Sequence, residues 1–101
     1  MTRIVVTVSA DADIDAIIAH MAAVAGLPTA QKYLGLIEKV YERLAAFPGS
    51  GPPRPTLGPL ARIAVISPYV LIYDWDSAAN TATILRVVHG RRRITRKLAR
   101  G

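Results

Sequence analysis

Between residues 48 and 59 the chain carries Pro48, Pro52, Pro53, Pro55 and Pro59 together with Gly49, Gly51 and Gly58. Proline has no N–H to give to a helix or a sheet ladder, and it pushes the preceding residue out of the helical region. No regular element can run through such a segment, so it divides the sequence in two. The residues before it have the 3.6-residue period of helices, and those after it alternate as strands do. The segment is too short, and too closely flanked by patterned sequence, to link separate domains. With 101 residues in all, a single domain spanning 1–101 is expected.

The first part opens on Ile4, Val6 and Val8, alternating with Val5 and Thr7, a β-branched run that predicts a strand. Ser9 or Asp11 can cap the next element, a helix, with Asp11, Asp13 and Asp15 at the positive end of its dipole. Its apolar stripe is Ile14, Ile17, Ile18, Met21 and Val24 or Ala25. Gly26 ends this helix and Pro28 blocks its continuation. A second helix is expected from about Thr29 to Phe47, with Ala30, Tyr33, Leu34, Ile37, Val40 or Tyr41, Leu44 and Phe47 on one side. Gly26-Leu27-Pro28 is short enough to fold the two helices into an antiparallel hairpin.

Beyond the proline segment three strands are expected. They are Ala61–Ile66, turned at Ser67-Pro68; Tyr69–Trp75; and Thr81–His89, reached through the polar loop 76–80 and ended by Gly90. Arg91 to Arg100 forms either a short basic helix or a flexible tail. The order β-α-α-β-β-β predicts an α+β fold, a helical hairpin on one face of a mainly antiparallel four-stranded sheet, with the other face free for a partner.

Charge is unevenly placed. The net charge is +6, from 13 Lys and Arg against 7 Asp and Glu. Up to residue 85 the two signs nearly balance. From residue 86 onward the chain has Arg86, Arg91, Arg92, Arg93, Arg96, Lys97 and Arg100 and no acid. A cationic end on a neutral body attracts phosphate backbones or acidic protein segments, or simply keeps the chain soluble. With no cysteine, disulfides and thiolate metal sites are excluded, which fits a reducing cytoplasm. No apolar run reaches the roughly 18–20 residues of a membrane span, so no membrane partner is expected. Phosphate-binding loops, dinucleotide fingerprints, nucleophile elbows and HExxH are all absent, and no cofactor or metal is expected.

Strict alternation in the last strand places Ile84, Arg86 and Val88 on one face, and Leu85, Val87 and His89 on the other. Arginine inside a strand needs either an open face or a partner carboxylate such as Asp74. Tyr69, Tyr73 and Trp75 share a face, where they can pack a core or stack against a partner. His89 is the one side chain tuned for acid–base chemistry near neutral pH, but no carboxylate stands in a motif with it. His20 has no companion at metal-ligand spacing and reads as ordinary surface.

Three stretches carry a family likeness: Ser67-Pro68-Tyr69-Val70-Leu71-Ile72-Tyr73, the approach Leu57-Gly58-Pro59-Leu60-Ala61-Arg62, and above all Ile84-Leu85-Arg86-Val87-Val88-His89-Gly90-Arg91-Arg92. With the element order, they resemble toxins of the RelE/ParE superfamily of type II toxin–antitoxin modules, in particular the ParE branch. Arg93 departs from that branch, where an acidic residue commonly comes after the double arginine. The resemblance implies a toxin that inhibits DNA gyrase and is neutralised by a cognate antitoxin in a hetero-oligomer. It points to Arg86, His89, Arg91 and Arg92 as target-binding residues, with Tyr69, Tyr73 and Arg62 behind them. The alternative it implies is a RelE-like, ribosome-dependent mRNA endonuclease using His89 with Arg86 and Arg62 as phosphate clamps. The chain has no tyrosine after Tyr73, and Lys97 is the sole lysine of the tail.

Overall fold

The computed structural model describes residues 1–101. The elements run β1 (Arg3–Val6), α1 (Val8–Ala25), α2 (Leu27–Ala46), a 3-10 turn at Pro55–Leu57, β2 (Ala61–Ile66), β3 (Tyr69–Asp76), β4 (Thr81–His89) and α3 (Arg96–Arg100). The sheet order is β1-β4-β3-β2. β2 pairs antiparallel with β3, and β3 with β4, while β1 lies parallel to β4. A β-strand that leaves into a helical hairpin returns far along the chain, which is why its partner can be parallel.

The first strand is shorter than its β-branched run suggests. Thr7 Oγ accepts the Ala10 N–H at 3.1 Å and so acts as the N-cap, starting α1 at Val8 rather than after Ser9 or Asp11. Asp11 is then the one aspartate in the first turn, and Asp13 lies beyond it. The hairpin connection is tighter than expected as well. Gly26 alone joins the helices at φ +89°, a backbone angle natural to glycine, and Pro28 sits within the first turn of α2, where its missing N–H costs nothing.

Both helices pack on one face of the sheet. Ala10 and Ile14 of α1 and Ile37, Val40 and Leu44 of α2 meet Ala64, Ile66, Tyr69, Leu71, Tyr73, Ala82, Ile84 and Val87. The opposite face, expected to be free, carries a second, smaller core. Ala61, Ile63, Ile72 and Val88 are covered there by Leu57 of the 3-10 turn and Ala99 of α3, with Ile94 and Leu98 beside them. The tail is therefore a folded cover, because its own apolar residues are spaced to reach the sheet.

The proline segment is fastened as well as irregular. The Tyr73 hydroxyl donates to Pro48 O at 2.8 Å and accepts from the Gly51 N–H at 3.0 Å. A Cβ at Gly51 would run into Ile63 O and that hydroxyl, so the close approach requires glycine.

Candidate functional site

Alternation along β4 fails in its middle. The register with β3 shifts between Ile72, opposite Arg86, and Tyr73, opposite Ile84, leaving Leu85 as the extra residue. Ile84 and Val87 consequently share the helical face, while Val88 joins the second core and Leu85 packs against it. Strict alternation, which put Val88 with Ile84, does not survive the bulge.

The bulge falls where β1 ends, so β4 runs on without a strand on that side. α1 takes over its polar groups. Thr7 N–H donates to Ile84 O at 3.1 Å, and Thr7 Oγ donates to Leu85 O at 3.0 Å. Asp13 Oδ2 accepts the Val87 N–H at 3.0 Å. The same carboxylate holds Arg86 in a two-pronged pair, Nε to Oδ2 at 2.6 Å and Nη2 to Oδ1 at 3.0 Å. The third prong of Arg86, Nη1, donates to Leu98 O at 3.0 Å. Arg86 thus ties α1, on one face of the sheet, to α3, which covers the other. The Asp13 hydrogen bond raises its pKa above the ordinary arginine value.

Arg86 therefore has a carboxylate partner, but it is Asp13 and not Asp74. Asp74 pairs with Arg100 in a second fork, Nη1 to Oδ2 at 2.8 Å and Nη2 to Oδ1 at 2.6 Å, while Arg100 Nε donates to Leu57 O at 2.7 Å. Sequence reasoning did not single out Asp13 or Arg100. The available signal was that both are ionic residues flanked by residues that become buried, Ile14 and Ala99.

His89 stands at the end of β4, its ring edge-on to Tyr69 at 5.6 Å between centroids; Tyr69 in turn meets Tyr33 edge-on at 6.0 Å. His89 Nδ1 accepts the Arg91 N–H at 3.1 Å and its carbonyl accepts the Arg92 N–H at 3.0 Å. An acceptor at Nδ1 puts the neutral ring's proton on Nε2. The Gly90 N–H donates to Pro68 O at 2.8 Å, with no room to spare for a larger residue there. These bonds shape a turn on which Arg91, Arg92 and Arg93 are exposed.

The remaining sequence-selected residues are placed elsewhere. Tyr73 and Tyr69 are buried in the helix-side core, and burial raises the Tyr73 pKa above the ordinary tyrosine value. Arg62 Nη1 donates to Gly49 O at 3.1 Å and Gly51 O at 2.7 Å, bracing the proline segment. In the sheet register Arg62 lies opposite Tyr73 and His89 opposite Tyr69. That separates them by about 13 Å along the strands and about 10 Å across them. His20 is exposed on α1. No three His, Asp or Glu side chains gather as metal ligands.

Between α1 and α2, Ile14, Ile18, Ala22, Leu27, Ala30 and Leu34 line an open apolar groove of about 440 Å³, edged by Asp15 and Gln31. No helix is long and apolar enough to cross a membrane.

Comparison with known proteins gives a consistent picture. The chain is 29% identical over 100 residues to the toxin ParE3 of Caulobacter vibrioides, covering 99% of this chain and 98% of that one. Its structure resembles the chromosomal ParDE toxin–antitoxin system of P. aeruginosa at a TM-score of 0.72 and 25% identity, over 88% of this chain and 96% of the other. The fold is also that of the toxin–antitoxin complex RelBE2 of Mycobacterium tuberculosis, at a TM-score of 0.62 and 24% identity over 87% and 96% of the two chains. The model of the family described as the ParE toxin of type II toxin–antitoxin system, parDE, matches residues 4–94. A β4 braced to α1, a tail folded over the sheet and this match over most of the chain lead to one conclusion: the protein belongs to the ParE toxin family of type II toxin–antitoxin systems.

Proposed function

We propose that this toxin acts by binding, inhibiting DNA gyrase in the cytoplasm, and that a cognate antitoxin neutralises it. The observation that carries this reading over RNA cleavage is the dispersal of the groups that cleavage needs. Metal-independent cleavage calls for a base, an acid and cations gathered around one phosphate. Here Arg86 is held by Asp13, Arg62 is spent on the carbonyls of Gly49 and Gly51, and both stand apart from His89. What remains exposed near His89 is the turn of Arg91, Arg92 and Arg93, a surface suited to docking.

The apolar groove between α1 and α2 is suited to an amphipathic antitoxin helix laid along Ile14, Ile18, Leu27 and Leu34. An antitoxin segment that folds as it binds would bury this groove, and acidic positions would meet the basic tail and speed capture. The structural relatives from P. aeruginosa and Mycobacterium tuberculosis are both toxin–antitoxin systems, which supports a hetero-oligomer here.

The test is induction of the toxin without its antitoxin, with gyrase supercoiling and mRNA integrity measured together. Loss of supercoiling with intact mRNA is expected. Ribosome-dependent cuts that disappear in His89→Ala would replace the proposal with the endonuclease reading.

A further inference from the structure

The two salt bridges divide the basic end of the chain into two groups. Arg86 and Arg100 are consumed inside the fold by Asp13 and Asp74. Arg91, Arg92, Arg93, Arg96 and Lys97 are all exposed, and their side chains make no hydrogen bond or ion pair within the protein. Nothing acidic lies between residues 77 and 101 to neutralise them locally.

The chemistry of the partner can be read from what this surface lacks. Ile94 and Leu98, the apolar residues of the segment, face the second core, and Ala99 is buried there. The exposed part is charge without an apolar anchor. Arginines anchor protein interfaces where apolar or aromatic neighbours desolvate them, and this segment exposes no such neighbour, so a protein partner takes its apolar anchor from elsewhere on the chain. Single-stranded nucleic acids are held largely by bases stacked on aromatic rings, and residues 90–101 contain none. A duplex backbone, in contrast, is bound by cations alone through release of condensed counterions. Four of the five cations are arginines, whose planar forks match phosphate oxygens in pairs. The turn that presents Arg91 and Arg92 is fixed by His89 Nδ1, His89 O and Pro68 O, and Arg96 and Lys97 stand on α3, so the cations are pre-placed instead of trailing on a loose end.

We propose that the surface formed by Arg91, Arg92, Arg93, Arg96 and Lys97 binds the phosphate backbone of duplex DNA directly and without reading sequence. This goes beyond the gyrase reading and does not rest on it. It gives the toxin a contact of its own with DNA, whatever protein target it meets there.

The test is fluorescence anisotropy of the purified full chain with a short labelled DNA duplex, across a range of salt concentrations. With five phosphate contacts the log–log slope of affinity against salt is about −4.5, and Arg91→Ala/Arg92→Ala/Arg93→Ala reduces it to about −1.8. Replacing the same three residues with lysine restores the steep slope, since counterion release counts charges. Circular dichroism checks that each variant is folded; the three side chains make no internal contact to lose. Three results would overturn the proposal: an unchanged slope in the alanine variant, a shallow slope in the lysine variant, or tighter binding of the single strand or of a poly-glutamate peptide than of the duplex. No gyrase is present, so failure here leaves the supercoiling assay to judge the target separately.

Discussion

Asp13 of α1 receives both Arg86 and the Val87 N–H of β4, at 2.6 Å and 3.0 Å, and so closes the strand edge that β1 leaves open. One carboxylate thereby satisfies a guanidinium and a backbone donor that β1, which ends opposite Ile84, does not reach. The arginine most suggestive of target contact in the sequence is, in the folded chain, part of the joint between helix and sheet.

Removing the carboxylate should therefore cost more than removing an exposed ion pair. Asp13→Ala leaves the Val87 N–H and a half-buried cation without their acceptor, a loss of about 1–3 kcal/mol. Arg86→Ala is expected to be milder, because Asp13 keeps the Val87 bond. Urea unfolding of both single variants and the double variant measures the coupling between them. A double variant equal to the sum of the singles would show that the pair is not a unit.

The Arg100–Asp74 pair anchors the cover over the second core. Arg100→Ala releases α3 at its far end, where Arg100 also holds Leu57 O. Faster amide exchange in residues 94–101 is expected, with increased exposure of Ile72 and Val88, while α1 and α2 keep their protection. The swap Asp74→Arg/Arg100→Asp restores part of the protection if the pairing itself holds the cover. Arg100→Ala with unchanged exchange would assign the docking to Ile94, Leu98 and Ala99 alone.

His89 meets the arginine turn through an acceptor, its Nδ1 taking the Arg91 N–H. His89→Asn keeps an oxygen in reach of the Arg91 N–H, whereas His89→Ala removes it and also the ring against Tyr69. Under the proposed function, toxicity and inhibition of supercoiling are largely retained in the asparagine variant. In the alanine variant a loss of about 5-fold is expected, the worth of roughly 1 kcal/mol of hydrogen bonding. Equal and complete loss in both variants would point instead to acid–base chemistry at this ring.

Most of the fold was readable because its elements obey local rules: the proline segment, the two helical stripes, and the alternation of Tyr69, Leu71 and Tyr73 against Val70 and Ile72. The parallel β1–β4 pairing was not, since strand order depends on packing across the whole chain. The bulge at Leu85 was hidden too: a one-residue slip leaves the composition of a strand unchanged and reverses its faces beyond that point. The partners of Arg86 and Arg100 were out of reach for a related reason. Asp13 and Asp74 were visible as acids, but only the stacking of α1 and α3 on opposite faces decides which arginine each one meets. At the candidate site, the exposed double arginine was legible from charge alone, while the burial of Tyr69 and Tyr73 required the helical hairpin to be placed.

Two tyrosines, Tyr73 buried and Tyr41 half-buried, give opposite responses to loss of the hydroxyl. Tyr73 bonds Pro48 O and the Gly51 N–H, whereas the Tyr41 hydroxyl is buried with no partner. Tyr73→Phe strands both backbone groups and should cost about 1–3 kcal/mol; Tyr41→Phe removes an unsatisfied group and should be neutral or slightly stabilising. Burial raises both pKa values above the ordinary 10.0, with Asp11 adding to the effect at Tyr41. A raised value means the folded state holds its phenol protons to higher pH than the unfolded chain does. Their contribution is thus complete below pH 10 and declines as pH climbs above it, through the folded values. Unfolding free energy measured from pH 8 to 11.5 is expected to be level in this respect up to about 10 and to fall beyond. Each phenylalanine variant should make the alkaline fall shallower, even though Tyr73→Phe starts from lower stability. A fall as steep in the Tyr41→Phe/Tyr73→Phe double variant as in the parent would assign the alkaline loss to other groups.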